Sequence, residues 1–279
     1  MDKPAGLTSH DAVQRVRRAL RTRQAGHTGT LDPFATGLLV VLVGRATRLA
    51  RFVESEAKTY LATARLGVRT DTDDLTGAVV QERPVEGLSA GRVAEAVAGF
   101  AGPQRQRPPA FSAKHVSGER SHRLARSGAA VELPETAVTV HRIELLAWEP
   151  PSVTFRATVS AGTYLRAIAR DLGERLGTGA HLTALRREAV GRLRVEDAVA
   201  LDEVGPGALL PPARVLGHLP SVELDAAARA AVVHGRAVAH DAPAASAEAP
   251  VALLSGDELV AVARPEDGRL QPTVVLAAP

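Results

Sequence analysis

Cysteine is absent from this 279-residue sequence, which excludes disulfide bonds, thiolate metal sites and a cysteine nucleophile. Long apolar runs are absent as well: no stretch of about eighteen apolar residues occurs, so we expect no membrane-spanning helix. The first residues, MDKPAGLTSHDAV, contain no apolar signal region. Together these absences predict a cytoplasmic protein.

Lysine is scarce, supplying three of the 34 Lys and Arg residues. Most positive charge is therefore carried by arginine, which favours forked contacts to phosphate, although a GC-rich genome would have the same effect. Residues 14–23 contain five arginines and no acid, and residues 104–126 contain six Lys or Arg side chains against one acid, whereas the chain from residue 221 onward is not basic. This asymmetry indicates a polyanionic partner for the first part of the chain, with an ordinary solvated charged face as the alternative.

The hydrophobic pattern alternates between helix and strand periods without regular βαβ spacing. Ser9 and Ser89 are expected to cap helices, and Thr163 another one that spans residues 162–177. Strands are predicted at residues 38–44, 58–67, 138–147 and 153–160, and three short ones near the C-terminus, with turns at Gly256-Asp257 and Asp267-Gly268. The sequence therefore predicts an α+β fold with a mixed, mostly antiparallel central sheet flanked by helices, and a small β-rich C-terminal module.

We expect a main domain over residues 1–204, a linker over residues 205–220 and the C-terminal module over residues 221–279. Within the main domain, residues 104–130 form a long basic insert rich in Pro, Gly, Ser and Arg, with a short helix near residues 119–126. Long irregular segments in compact domains are often functional.

The stretch GHTGTLDPFATG, residues 26–37, places Asp32 in the middle of a glycine-rich loop. Pro33 keeps Asp32 out of the helical region, and the flanking glycines allow a ligand to approach the backbone closely. The loop is either a rigid platform that holds one functional carboxylate or an ordinary turn with an incidental aspartate.

Arg166 lies in the first turn of the helix predicted over residues 162–177, where a cation opposes the helix dipole. It therefore needs an anion from elsewhere, either a phosphate or a carboxylate. If a buried aspartate is that partner, we expect its pKa to stay low and the carboxylate to remain ionised at pH 7. The alternative is a solvated ladder with Arg170 and Glu174.

Tyr60 and Tyr164 are the two tyrosines, and each lies beside a glycine-bounded motif. A tyrosine offers a flat face for a base and a hydroxyl for proton transfer, but simple packing would also explain it. His27 has no partner at zinc-like spacing, and RTDTDDLTG lacks the ligand spacing of an EF-hand. Walker, Rossmann and G-x-S-x-G motifs are missing, so we expect no metal and no cofactor.

Several blocks of the sequence, in order, resemble the TruB family of bacterial tRNA pseudouridine-55 synthases. The matching motifs cover roughly residues 2–195, and the G-T-L-D-P-x-A-T-G block is highly specific. They are DKPAGLTSHDAV, AGHTGTLDPFATGLL, KTYLATARLGVRTDTDD, PPAFSAKHVSGER and GTYLRAIARDLGERLGTGAHLTALRR. The tail faintly resembles a PUA-like RNA-binding module. The family usually has an apolar strand before D-K-P, so we expect either an edge strand to be missing here or the chain to start further upstream.

The resemblance implies a role for each matching residue. Asp32 corresponds to the catalytic aspartate, Tyr60 to the tyrosine that stacks on the target base and is implicated in proton transfer, and Arg166 to the arginine that pairs with the aspartate. His27 corresponds to a histidine that contacts flipped-out nucleotides, and Lys3 supports the site.

Tyr164 and Leu185 correspond to residues that line the uracil pocket. The insert corresponds to an element that closes over the T arm of tRNA, with Arg105, Arg107 and Arg120 as candidates for contacts to the RNA backbone.

By this resemblance the protein isomerises uridine to pseudouridine at position 55 of tRNA, with the base flipped out. We expect a monomer without an obligatory protein partner. The alternatives are an RNA-guided synthase of the archaeal and eukaryotic type, and a tRNA-folding chaperone that acts without catalysis; a nucleoside glycosidase is a more distant possibility.

Overall fold

The computed structural model describes residues 1–111, 133–239 and 249–278, together with the backbone of residues 115–116 and 119–120. The helices in these residues are α1 (Ser9–Ala19), α2 (Ala50–Glu54), α3 (Ala90–Ala98), α4 (Leu165–Leu176), α5 (Pro212–Val215) and α6 (Ala226–Val233). Four 3-10 helices occur at Gly44–Leu49, Val195–Asp197, Leu201–Glu203 and Pro206–Ala208.

Strands of the first part of the chain are β1 (Asp2–Lys3), β2 (Ala25–His27), β3 (Thr36–Leu38), β4 (Val41–Val43), β5 (Lys58–Leu66), β6 (Val68–Thr70), β7 (Val79–Glu82), β8 (Gly102–Gln106), β9 (His115–Val116) and β10 (Glu119–Arg120). The remaining strands are β11 (Thr136–Glu149), β12 (Ser152–Val159), β13 (Ala180–Val190), β14 (Leu193–Arg194), β15 (Ser221–Glu223), β16 (Val238–Ala239), β17 (Val251–Ser255), β18 (Glu258–Glu266) and β19 (Arg269–Val275).

The central sheet has eight strands in the order β1-β3-β13-β5-β12-β11-β8, with β14 paired to β13. Among its pairs β3–β13 is parallel and the others are antiparallel. Helices α1, α3 and α4 contribute apolar side chains to the core that covers one face of this sheet. The predicted α+β architecture with a mixed, mostly antiparallel sheet is therefore confirmed.

The C-terminal module contains a five-stranded sheet in the order β15-β17-β18-β19-β16. One of its apolar surfaces joins a core shared with the first part of the chain, in which Leu49 and Phe52 pack with Leu259 and Val262. Three arginines strengthen this contact: Arg45 and Arg48 donate to the carbonyls of Leu276 and Val275 at 3.0 and 2.7 Å, and Arg51 donates to the Thr273 hydroxyl at 3.3 Å. The module is thus packed onto the main sheet.

Some predicted elements differ from the structure. The single strand expected at residues 38–44 is two strands, because β3 pairs in the central sheet while β4 pairs with β2. Residues 119–120, expected to begin a short helix, are strand β10; the rest of that helix lies outside the described residues. Residues 104–106, assigned to the basic insert, lie in β8 at the edge of the sheet. Strand β1 provides two residues of the opposite edge.

The cap of α1 is Thr8 and not Ser9: the Thr8 hydroxyl accepts from the Asp11 backbone N–H at 3.0 Å, and Asp11 returns a bond to the Thr8 backbone. At α4 the cap position is Tyr164, one residue after the expected Thr163, and no side chain of the cap residue bonds to the helix. In the described part of the chain, no helix has both the length and the apolar character needed to cross a membrane.

We expect the shared core to make the two parts unfold together. Leu270, fully buried within the module's own core, should cost about 2–5 kcal/mol when changed to Ala. The lone tryptophan, Trp148, packs against the core of the central sheet, so its fluorescence reports on the main domain. Leu270→Ala should therefore lower the urea midpoint of Trp148 fluorescence as well as that of circular dichroism.

Leu209→Ala is the matched control, because Leu209 is 51% exposed and its change should cost no more than about 0.5 kcal/mol. A dichroism transition that splits while the Trp148 midpoint stays in place would contradict the shared core.

Candidate active site

The backbone of the loop formed by residues 26–37 is held by buried side chains from three separate elements. The Ser9 hydroxyl of α1 accepts from the Leu31 N–H at 2.8 Å and donates to the Leu31 carbonyl at 3.1 Å. Lys3 Nζ lies 3.5 Å from the Pro33 carbonyl, and Arg187 of β13 donates to the Gly29 carbonyl at 3.1 Å. The loop is therefore a rigid platform and not an ordinary turn.

Gly37 lets this loop enter the sheet beside β13. Its φ of +102° lies in the region that favours glycine, and a Cβ at this position would overlap the Arg187 backbone. The register pairs Gly37 with Arg187, and Arg187 in turn with Tyr60 of β5. The glycine thus fixes the distance between the loop and the central strands.

Asp32 and Arg166 form an ion pair at the centre of the molecule. Arg166 Nη2 donates to Asp32 Oδ1 at 3.1 Å, and Arg166 Nε lies 3.0 Å from Oδ2 without the alignment of a hydrogen bond. The Arg166 side chain is 5% exposed and that of Asp32 is 29% exposed. The arginine is therefore enclosed, while the aspartate can be reached by a ligand.

Arg166 has three further partners. Its Nη1 donates to the Thr72 carbonyl at 2.9 Å and lies 3.4 Å from Asp74 Oδ2, and its Nη2 donates to the Phe111 carbonyl at 2.9 Å. Asp74 Oδ1 accepts from Thr72 and twice from Thr76, which orients Oδ2 toward the guanidinium. The solvated ladder with Arg170 and Glu174 is not what the structure shows for Arg166.

Burial raises the pKa of the Asp32 carboxyl above its ordinary value, and the negative charge of Asp74 adds to this. Arg166 and Lys3 lower this pKa, but their effect is smaller than the increase caused by burial. The Asp32 side chain is 29% exposed, and its contact with water reduces the increase. The expectation of a lowered pKa at this aspartate was therefore wrong, because it weighed the cation and left out desolvation.

Tyr60 and Leu185 are buried in the core of the central sheet. Tyr60 on β5 is 7% exposed and Leu185 on β13 is 8% exposed, and both belong to the apolar cluster that contains Leu31 and Leu165, the neighbours of the ion pair in sequence. The ion pair thus borders the same apolar core that contains Tyr60 and Leu185.

Two lysines are buried near this site in cages of carbonyl groups. Lys3 Nζ donates to Pro4 and Leu7, and Lys58 Nζ donates to Glu54 and Glu56 where α2 ends. Burial lowers the pKa of each to about 8. Carbonyl oxygens at a helix C-terminus are favourable partners for a cation.

His27 lies in β2 at the start of the loop, half-buried, and its ring lies 3.4 Å from the Gly29 N–H. Burial and the nearby Arg187 lower the pKa of its imidazole, which favours the neutral form.

Tyr164 begins α4, where the buried Gln106 holds its backbone from both sides. Gln106 accepts from the Tyr164 N–H at 2.8 Å and donates to the Tyr164 carbonyl at 3.1 Å. The candidate residues for RNA contacts are placed less centrally: Arg105 is exposed and paired with Glu135 at 3.0 Å, and Arg107 is exposed. For Arg120 only the backbone, in β10, is described.

Sequence reasoning missed Asp74, Ser9, Gln106 and Arg187. Asp74 lies in RTDTDDLTG, a segment that lacks the ligand spacing of an EF-hand. The run of Thr and Asp residues beside a buried strand is the sequence signal that could have identified it. Ser9 was read as a helix cap. No sequence signal identified Gln106 or Arg187. Among the described residues, no group of three metal-binding side chains occurs.

Solved structures share this fold over nearly the whole chain. One is the structure of an H/ACA RNP bound to a substrate RNA containing 2′-deoxyuridine, with a TM-score of 0.74 and 26% identity over 99% of this chain and 83% of the other. Another is a Cbf5-Nop10-Gar1 complex, with a TM-score of 0.74 and 28% identity over 99% and 82%. The chain therefore shares the pseudouridine synthase fold of Cbf5.

Sequence comparison identifies the family within this fold. The profile of the TruB family pseudouridylate synthase N-terminal domain matches residues 17–165, and that of the tRNA pseudouridylate synthase B C-terminal domain matches residues 166–209. Proteins named tRNA pseudouridine synthase B match throughout: one from Synechococcus sp. (strain WH7803) is 43% identical over 100% of this chain and 96% of the relative, and one from Gloeobacter violaceus is 44% identical over 99% and 97%. The chain belongs to the TruB family, and the resemblance found in the sequence is confirmed.

The raised pKa of Asp32 predicts that Asp32→Asn is more stable than the wild type at pH 7.5. A carboxyl with a raised folded pKa loses stability as the pH rises from its unfolded pKa through the folded one, and Asn cannot ionise. Urea unfolding at a series of pH values from 7.5 downward should show an advantage that shrinks as the pH falls.

Asp11→Asn is the control of opposite sign, because hydrogen bonds from Thr8 lower the pKa of the Asp11 carboxyl. That variant should be less stable than the wild type at pH 7.5. A loss of stability in Asp32→Asn as well would contradict the raised pKa.

Proposed function

We propose that the protein isomerises uridine to pseudouridine at position 55 in the T loop of tRNA, with Asp32 as the catalytic aspartate. The observation that carries the proposal is the Asp32–Arg166 pair, in which a reachable carboxylate is held by an enclosed guanidinium. Membership of the TruB family and full-length similarity to proteins named tRNA pseudouridine synthase B support the tRNA substrate.

The reaction gains and loses no atoms overall. The N1–C1′ bond breaks, the uracil rotates, C5 bonds to C1′, the proton on C5 leaves and N1 takes up a proton. The Asp32 carboxylate provides the anion that attacks the sugar or the base, or that assists cleavage. A raised pKa makes this carboxylate more basic than an ordinary aspartate, and Arg166 fixes the direction of its lone pairs.

We assign proposed roles to the remaining candidate residues from their positions and from the family resemblance. Tyr60 supplies a ring against which the flipped base stacks and a hydroxyl near the proton to be moved, and Leu185 with Tyr164 lines the pocket. His27, kept neutral by burial, contacts the unpaired nucleotides at the outer end of the loop. Lys3 supports the loop through the Pro33 carbonyl.

The domain plan follows the same proposal. Residues 1–204 form the catalytic domain, residues 104–130 the basic insert that clamps the RNA, and residues 205–220 a linker to a PUA-like module at residues 221–279. A protein that modifies tRNA in this way acts in the cytoplasm as a monomer without an accessory protein. The RNA-guided alternative rests on a fold shared at 26–28% identity, whereas the relatives named for tRNA share 43–44%.

The test is tritium release from a tRNA transcript carrying uridine tritiated at C5. We expect release by the wild-type protein alone, without guide RNA or partner protein, and pseudouridine at position 55. Asp32→Asn should release no tritium, because the amide is not an anion. Arg166→Lys should bind tRNA normally but react at least about a hundredfold more slowly, because one ammonium cannot replace the planar fork.

Each alternative leaves its own mark in this experiment. Release that requires a guide RNA would support the guided synthase, and free uracil would indicate a glycosidase. If Asp32→Asn refolds tRNA as well as the wild type while neither releases tritium, the protein is a chaperone and the catalytic proposal is wrong.

The basic insert predicts the salt dependence of binding. Changing Arg105, Arg107 and Arg120 to Gln should weaken tRNA binding and reduce the slope of log K against log salt by about 2. The control changes Arg83, Arg92 and Arg142 to Gln, which removes the same charge from exposed positions outside both the insert and the C-terminal module. Equal slopes for the two triple variants would indicate that the insert is an ordinary solvated charged face and does not contact the RNA.

A further inference from the structure

Arg170 repeats, one helical turn later on α4, the pattern of contacts made by Arg166. Arg166 lies between Asp74 and the Phe111 carbonyl. Arg170 lies between Asp73 and the Arg107 carbonyl, at 3.2 and 3.0 Å. Two adjacent aspartates, two arginines and two carbonyl groups four residues apart thus form parallel chains of contacts.

The Asp73 end of the contacts made by Arg170 is anchored to the central sheet. Asp73 is fixed by its backbone, because its φ is +58° and its carbonyl accepts from the Leu182 N–H of β13 at 3.0 Å. Arg170 itself is held on its own helix by Asp171 at 2.8 Å and is 14% exposed. The sheet therefore fixes Arg170, and Arg170 fixes the Arg107 carbonyl.

Residues 106–111, which we call the bracing segment, are attached to the start of α4 at three points. Gln106 holds the Tyr164 backbone with two hydrogen bonds, Arg170 holds the Arg107 carbonyl, and Arg166 holds the Phe111 carbonyl. Each attachment uses a side chain that is buried or nearly so. These three attachments fix the position of the bracing segment relative to α4.

The attachment made by Arg166 also involves Asp32, the proposed catalytic residue. Arg166 Nη2 donates both to the Phe111 carbonyl at 2.9 Å and to Asp32 Oδ1 at 3.1 Å. A shift of the bracing segment would withdraw the Phe111 oxygen, and Nη2 would keep Asp32 Oδ1 as its one hydrogen-bond acceptor among the described contacts. The guanidinium would then lose one of the contacts that fix its orientation, and its alignment with Asp32 would be less well defined.

We propose that Arg170 is a positioning residue for the isomerisation, which acts through the bracing segment to aim the Arg166 guanidinium at Asp32. The inference rests on the proposed function. It assigns Arg170 no contact with the RNA: the residue holds the Arg107 carbonyl and acts on the chemical step through Arg166, whereas the Arg107 side chain, the candidate for RNA contact, keeps its charge when Arg170 is changed.

The test compares Arg170→Met, which keeps the aliphatic stem and removes the guanidinium, with Arg156→Met. Arg156 is ion-paired with Glu188 on the opposite face of the sheet, so the control removes a paired arginine remote from the site. In single-turnover tritium release, Arg170→Met should slow the chemical step between about tenfold and a hundredfold. Its tRNA dissociation constant should stay within about twofold of wild type, and Arg156→Met should match the wild type in both.

A double-mutant cycle separates positioning from general stability. If Arg170 acts through Arg166, Arg170→Met should slow an Arg166→Lys protein by much less than it slows the wild type. Additive effects, an unchanged chemical rate in Arg170→Met, or a loss confined to binding would each overturn the inference.

Asp73→Asn provides a second route if Arg170→Met does not fold. It should reproduce the slower chemistry with unchanged binding, and normal chemistry in a folded Asp73→Asn would overturn the inference. A wild-type protein that releases no tritium marks failure of the proposed function instead, and that result is read before any variant is compared.

Discussion

A guanidinium group can be buried only where acceptors meet its donors, and Arg166 imposes this constraint on the centre of the molecule. Its acceptors come from the glycine-rich loop, from the turn after β6 and from the segment that follows β8. Three stretches far apart in sequence must therefore converge on one side chain. The geometry of the reacting carboxylate is a consequence of that convergence, since Asp32 is one acceptor among several.

The loop that carries Asp32 is fixed by a related arrangement of the same polarity, in which buried cations donate to backbone carbonyl groups. Lys3 and Arg187 bring donors to the carbonyl groups of a backbone that has few internal hydrogen bonds of its own. Because these cations are enclosed, they lie in a low-dielectric setting, where each retained hydrogen bond counts for more than it would in water. The carboxylate above them consequently has a stiff support and a positive field at the same time.

The sequence predicted much of this molecule, and the parts it did not predict share a physical cause. Period-2 patterns predicted the strand at residues 58–67, and the position of Arg166 at a helix start predicted that it needs an anion. The resemblance to the TruB family then implied that this anion is Asp32. Ser9 and Asp74 were misread because a hydroxyl or a carboxyl has several local uses, and long-range packing decides among them. The pKa of Asp32 was misjudged for a similar reason: a charge partner can be inferred from sequence, but the exclusion of water depends on how the chain folds over the site.

The carbonyl cages around Lys3 and Lys58 also determine the chemical character of the surface. With these two lysines enclosed, the exposed positive charge of the described residues belongs to guanidinium groups. Such groups keep their proton throughout the range in which proteins are stable, and acyl donors that neutralise lysine amines do not neutralise them. Across the described residues, the positive charge of this surface is thus independent of alkaline pH and of lysine acetylation, and salt concentration remains the variable that screens it.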